Sequence, residues 1–73
     1  MTPTDFRAAL ARLGQTQAGA ARLLGVEARS VRRYASGHRP VPEPVVRLLW
    51  ACERDAGLVG ALRRYRDAPP DAP

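Results

Sequence analysis

An all-α fold of four to five short helices, with a helix-turn-helix at its centre, is what the residue pattern dictates. Apolar residues recur three and four positions apart in several stretches, which is the spacing of one helix face. Gly14, Gly25 and the run Ser36-Gly37-His38-Arg39-Pro40 cut the chain into pieces of helix length. No stretch alternates apolar and polar residues as a half-buried strand does, and no internal repeat is present. At 73 residues the chain makes one domain. A domain this small buries only roughly 60% of its unfolded surface, which leaves no room for a Rossmann fold, a barrel or a large catalytic cleft.

Thr2-Pro3-Thr4-Asp5 reads as the first helix start, with a capping hydroxyl, a proline suited to the first helical position and an anion near the positive end of the macrodipole. Phe6, Leu10 and Leu13 share the face behind it, and Gly14 ends the element. Thr16 caps a second helix over residues 17–24, and Gly25 stops it. Val26 and Glu27 lead into a third helix reaching about Ala35. Val41-Pro42-Glu43-Pro44 is extended up to a fourth helix over about 43–54, with Val45, Leu48, Leu49 and Cys52 on one face. Gly57 and Gly60 weaken the next stretch, so only residues 58–66 are expected as a short fifth helix. Residues 1–66 are thus the expected domain, and 67–73 an expected disordered, proline-rich tail.

Composition narrows the function. The 12 basic residues are all arginine and face 7 acids, giving a net charge of +5 and a sequence pI near 11.0. That balance favours nucleic acid or another anionic surface as partner. A GC-rich genome would also favour arginine over lysine, so placement has to decide. One cysteine excludes an internal disulfide and a multi-cysteine zinc site. Cys52 lies with Val45, Leu48 and Leu49 and reads as a small buried apolar group. His38, the single histidine, sits in a turn and reads as exposed. No Ser-His-Asp or Cys-His set and no phosphate-cradling glycine loop is evident, so the expectation is a protein that is not an enzyme and uses no metal, cofactor or small-molecule ligand. No apolar run approaches the ~20 residues of a membrane span, and Met1 to Asp5 lacks the basic start of a secretory signal. The expected setting is soluble and cytoplasmic.

The second and third helices, joined at Gly25-Val26, carry the sharpest signal. Ala21 is small where a helix must cross closely, Gly25 supplies a left-handed turn, and Val31 and Tyr34 point inward. With Glu27 at zero and about 100° per residue, Val31 and Tyr34 fall near 40° and 340°, and Arg32, Arg29 and Arg33 near 140°, 200° and 240°. The arginines therefore oppose the buried face. Like charges so close repel, and a helix that merely faced water would gain nothing from them.

Residues 17–37 resemble the helix-turn-helix of the Cro/C1-type (XRE-like) phage and bacterial repressors. The matching positions are Thr16-Gln17, Ala21, Gly25-Val26, Ser30-Val31, Tyr34 and Gly37. With the flanking helices, the resemblance covers about residues 4–54. It implies a lambda-repressor-like DNA-binding domain. It implies base reading by Ala28, Arg29 and Arg33, base or phosphate contact by Ser30 and Arg32, and phosphate contact by Thr16, Gln17, Ser36 and Arg39. Glu27 departs from the family, which places a Ser or Thr cap there. It is a poorer cap and an anion close to DNA, which puts its role in contact in doubt. Gly37-His38-Arg39-Pro40-Val41-Pro42, with Val45-Val46 and Trp50-Ala51-Cys52-Glu53, is more narrowly similar to the small anti-CRISPR-associated autorepressors of phages, which bind promoters as dimers.

Val46 and Trp50 form an i, i+4 pair beside the core face of the fourth helix. With Leu58, Val59 and Leu62 they are the expected homodimer interface, since a tryptophan in an apolar patch is a typical interface anchor. The competing expectation is that the fifth helix folds back over Trp50 within one chain. The functional expectation is a sequence-specific repressor of double-stranded DNA, dimeric on a palindromic operator and autoregulatory. The alternative is an antitoxin-like helix-turn-helix module whose main partner is a protein.

Overall fold

The structure, a computed structural model, describes residues 1–67, with side chains through residue 65. Five helices follow one another: α1 (Pro3–Arg12), α2 (Gln17–Leu24), α3 (Ala28–Ser36), α4 (Glu43–Arg54) and α5 (Ala56–Asp67). There is no strand among the described residues. None of their helices is long and apolar enough to cross a membrane.

Local chemistry sets the helix ends. Thr2 and Asp5 form a reciprocal capping box: the Asp5 N–H donates to Thr2 Oγ1 at 3.0 Å, and the Thr2 N–H donates to Asp5 Oδ2 at 3.2 Å. Thr16 Oγ1 accepts from the Gly19 N–H at 3.0 Å and starts α2. Gly25, at φ 72°, ends it in the left-handed region where a Cβ would be strained. Gly37, at φ 85°, does the same for α3.

Three helices differ in extent from the expectation. α1 stops at Arg12, with Leu13 as its cap and Gly14 beyond it at φ 67°. α3 begins at Ala28, since Glu27 is still extended, and runs on to Ser36. α5 begins two residues earlier than expected, because Asp55 Oδ1 accepts from the Gly57 N–H at 3.0 Å and caps it. It also continues to Asp67, so that residue belongs to the helix and not to the tail. The rest of the expected tail, 68–73, lies outside the described residues.

One core binds the helices. Phe6, Ala9 and Leu10 of α1 meet Ala20 and Ala21 of α2, Val31, Tyr34 and Ala35 of α3, and Val45 and Leu49 of α4. Leu13, Leu24, Val26 and Val41 pack around this cluster. α3 packs against both α1 and α2, and the small residues Ala20, Ala21 and Ala35 let the axes approach. α5 packs against α2 and α4. Its Leu58, Val59, Gly60, Ala61 and Leu62 are half-buried. This tertiary contact outweighs the poor helix propensity of Gly57 and Gly60.

Candidate nucleic-acid interface

α3 has two unlike sides. Val31, Tyr34 and Ala35 are buried, at 0, 5 and 4% exposure. Arg29 and Arg32 are exposed and Arg33 is half-buried on the remaining surface. Ala28, in the first turn, is exposed, and Ser30 is half-buried. The structure therefore brings Ala28, Arg29, Arg32 and Arg33 to one helix and turns them away from the core, as the wheel predicts. The two ion pairs among the described residues, Arg12–Glu53 and Arg47–Glu43, both lie on other helices. The guanidinium charges of α3 are thus left to solvent or to an anion from outside.

α1 fixes the pose of α3. The Phe6 and Tyr34 rings meet edge to face, with centroids 5.7 Å apart and planes at 79°. Arg7 donates through Nη1 to the Ala35 carbonyl, placing a cation at the negative end of α3. Gly37 approaches Pro3 closely: a Cβ there would lie 3.1 Å from Pro3 Cγ. These contacts join the first turns of α1 to the last turn of α3.

The expected phosphate-contact residues are dispersed around this unit. Gln17 is exposed at the first position of α2. Thr16 is exposed, with its hydroxyl oxygen engaged by the Gly19 N–H. The Ser36 hydroxyl lies 3.3 Å from the Arg33 carbonyl, to which it donates, and 2.8 Å from His38 Nδ1. The Arg39 N–H bonds the Arg33 carbonyl at 3.3 Å, and its side chain is exposed. Glu27 caps α3 only by its backbone, and its side chain makes no cap bond.

The expected dimer residues are not one continuous exposed patch. Trp50 is 57% exposed, so α5 does not bury it. The Arg54 guanidinium stacks 4.5 Å from its ring centroid. Val46 is half-buried on α4. Leu58, Val59 and Leu62 are half-buried on α5, which leans on α2 and α4 of the same chain.

Sequence reasoning missed Arg7, Arg54 and Arg63. The Trp50–Arg54 pair was readable as an i, i+4 neighbour. Arg7 to Ala35, and Arg63 to Gln15, join residues 28 and 48 positions apart, and no local pattern announces them. An open groove of about 580 Å³ lies between the end of α1, α4 and α5, with Gln15 and Arg63 in its lining and no residue of α3. It holds the Arg12–Glu53 pair. Cys52 lies on its wall, is 2% exposed, and has its thiol pKa pushed up, first by burial and then by Asp55. It remains a neutral, apolar packing group at neutral pH.

Comparison with protein-family models, curated proteins and solved structures gives no match. The functional reading therefore rests on the residues and their placement.

Proposed function

We propose that this chain is a sequence-specific double-stranded DNA-binding repressor of helix-turn-helix type. α2 and α3 are the paired helices, and α3 is the helix that enters the major groove. The observation that carries the reading is the separation on α3 of a buried face, Val31, Tyr34 and Ala35, from an outer face bearing Arg29, Arg32 and Arg33. A groove-bound helix needs that division, because guanidinium forks match both guanine edges and phosphate oxygens.

In this reading Arg29 and Arg33 read bases, with Ala28 close enough for apolar contact to a thymine methyl. Arg32 and Ser30 serve bases or phosphates. Thr16, Gln17, Ser36 and Arg39 hold the backbone on either side and set the register. The protein works in the cytoplasm as a homodimer on a palindrome, with half-sites about one helical turn, 34 Å, apart. Exposed Trp50, with Val46 beside it, is the dimer anchor, and α5 supports that surface. Occupying a promoter excludes polymerase by volume, so repression, including of its own gene, needs no further chemistry. The resemblance to anti-CRISPR-associated autorepressors supports the same arrangement.

The test is selection from a random duplex pool at about 150 mM salt, with wild type and Arg29→Ala in parallel. A two-fold symmetric motif that blurs at one position in the variant is the expected result. A bidentate contact is worth roughly 1–3 kcal/mol against the wrong base, or about 5- to 150-fold. Failure to enrich any motif would sink the proposal. The antitoxin-like alternative draws on the exposure of Trp50 and Tyr65, at 57 and 82%; capture of a neighbouring gene product through those residues, with no DNA motif, would favour it.

A further inference from the structure

We propose that Arg63 of α5 is a further DNA-backbone contact, held beside the first turn of α2 by Gln15. The proposal rests on the DNA-binding reading above and extends it to a helix outside the α2–α3 pair.

Gln15 is pinned at both ends of its amide. Its Nε2 donates to the Leu13 carbonyl at 3.3 Å, and its Oε1 accepts from Arg63 Nη2 at 3.3 Å. Gly19 lies beside this amide. A Cβ on Gly19 would meet Gln15 Oε1 at 3.0 Å and Thr16 Oγ1 at 3.1 Å, closer than such contacts normally come. Glycine inside a helix costs about 1 kcal/mol relative to alanine. Gly19 is the third residue of α2, and a methyl there would press on the flexible end of Gln15 by only a few tenths of an ångström.

A single bond thereby holds Arg63 near the start of α2, through a residue that lies just before Thr16 and Gln17. Its anchor is a neutral amide, which positions the guanidinium without neutralising it. Glu53, the carboxylate lining the same groove, is bonded to Arg12. Arg63 is exposed and uses one of its five N–H groups in the bond to Gln15. Arg64, also exposed, adds a second positive charge at the next position. A guanidinium held beside the backbone-holding end of α2, with no carboxylate bonded to it among the described side chains, suits a phosphate of the same duplex that α3 enters. Such a contact carries no sequence information.

The experiment compares wild type, Arg63→Gln, Arg63→Lys and Arg29→Ala on the selected operator between 50 and 200 mM salt. Each lost phosphate contact lowers the log–log salt slope by about 0.9, or about 1.8 for a dimer. Arg63→Gln is expected to show that fall with an unchanged sequence motif. Its affinity deficit should shrink roughly tenfold across the salt range, as the slope difference requires. Arg63→Lys keeps the charge and is expected to keep the slope. An Arg63→Gln protein with wild-type slope, or with a deficit constant in salt, overturns the proposal. If wild type enriches a motif that Arg29→Ala blurs while Arg63→Gln changes nothing, the α5 contact alone fails. If wild type binds no duplex in a salt-dependent way, the DNA-binding reading fails with it.

Discussion

α2 and α3 are neighbours of eight and nine residues, packed on each other, and they are built on opposite plans. α2 is closed at both ends, by the Thr16 hydroxyl and by left-handed Gly25, and it buries Ala20, Ala21 and Leu23. It carries one arginine. α3 ends on a left-handed glycine as α2 does, but it opens on Glu27, which makes no side-chain cap bond, and carries three arginines outside its buried face. The pairs 29–32 and 29–33 sit at i, i+3 and i, i+4, where like charges destabilise a helix by roughly 0.2–0.5 kcal/mol each. α3 is therefore poorly self-sufficient. What holds it comes from outside: Tyr34 on Phe6, the Ala35 carbonyl on Arg7, Gly37 against Pro3. A helix secured by its neighbours can keep an outer surface that does nothing for its own stability. That division is the one a groove-reading helix requires.

The largest expected effect breaks this external support. Phe6 is fully buried and touches α3 through Tyr34. Phe6→Ala should lose about 3–5 kcal/mol, a large part of the roughly 5–15 kcal/mol that holds a domain together. Urea unfolding followed by circular dichroism measures it. Arg29→Ala, on the outer face of the same helix that Phe6 supports, should not destabilise the protein, and by relieving two like-charge pairs should stabilise it by up to about 1 kcal/mol. A Phe6→Ala loss below about 1 kcal/mol would mean that α3 stands without α1.

Much of this plan is visible in the residues before any folding. Thr2, Thr16, Gly25 and Gly37 mark helix ends because their chemistry is local: a hydroxyl reaches an N–H three residues on, and glycine alone adopts positive φ cheaply. The inward set Phe6, Val31, Tyr34, Val45 and Leu49 follows from periodicity. The extent of α5 differs from the local expectation for a reason of scale. Its glycines argue against a helix locally, while Asp55 at its start and its contacts with α2 and α4 decide for one. The Asp55 cap could have been read from the sequence; the packing could not. Likewise the arginine face of α3 is legible on a wheel, whereas the roles of Arg7 and Arg63 depend on chain crossings that no spacing encodes.

An intermediate effect sharpens the contrast between the two helix starts. Thr16→Ala removes the acceptor of the Gly19 N–H and should cost about 1 kcal/mol. Glu27→Thr supplies α3 with the cap it lacks and should stabilise the protein by up to about 1 kcal/mol. Both are read as shifts in urea midpoint at constant slope. If Glu27→Thr leaves the midpoint unchanged, the first N–H groups of α3 are already satisfied, and the two helix starts do not differ energetically.

The smallest effect concerns α1, the helix that supports α3, and it appears only in acid. The Asp5 carboxyl is held below its ordinary 3.8, first by the Thr2 backbone N–H and then by the Thr2 hydroxyl. A carboxyl whose folded pKa is depressed binds protons more readily in the unfolded chain. Its contribution to stability is therefore complete above the unfolded value and fades as pH falls through the folded one. Comparing the Tm of wild type and Asp5→Asn at pH 7, 5, 4, 3 and 2 should show a small, constant advantage for wild type down to about pH 4, closing below it. Asp5 is fully exposed and screened by water, so the shift should be a modest one. An advantage that persisted unchanged at pH 2 would mean that the capping box works through shape alone. The first turn of α1 would then grip α3 through Pro3 and Arg7 without help from charge.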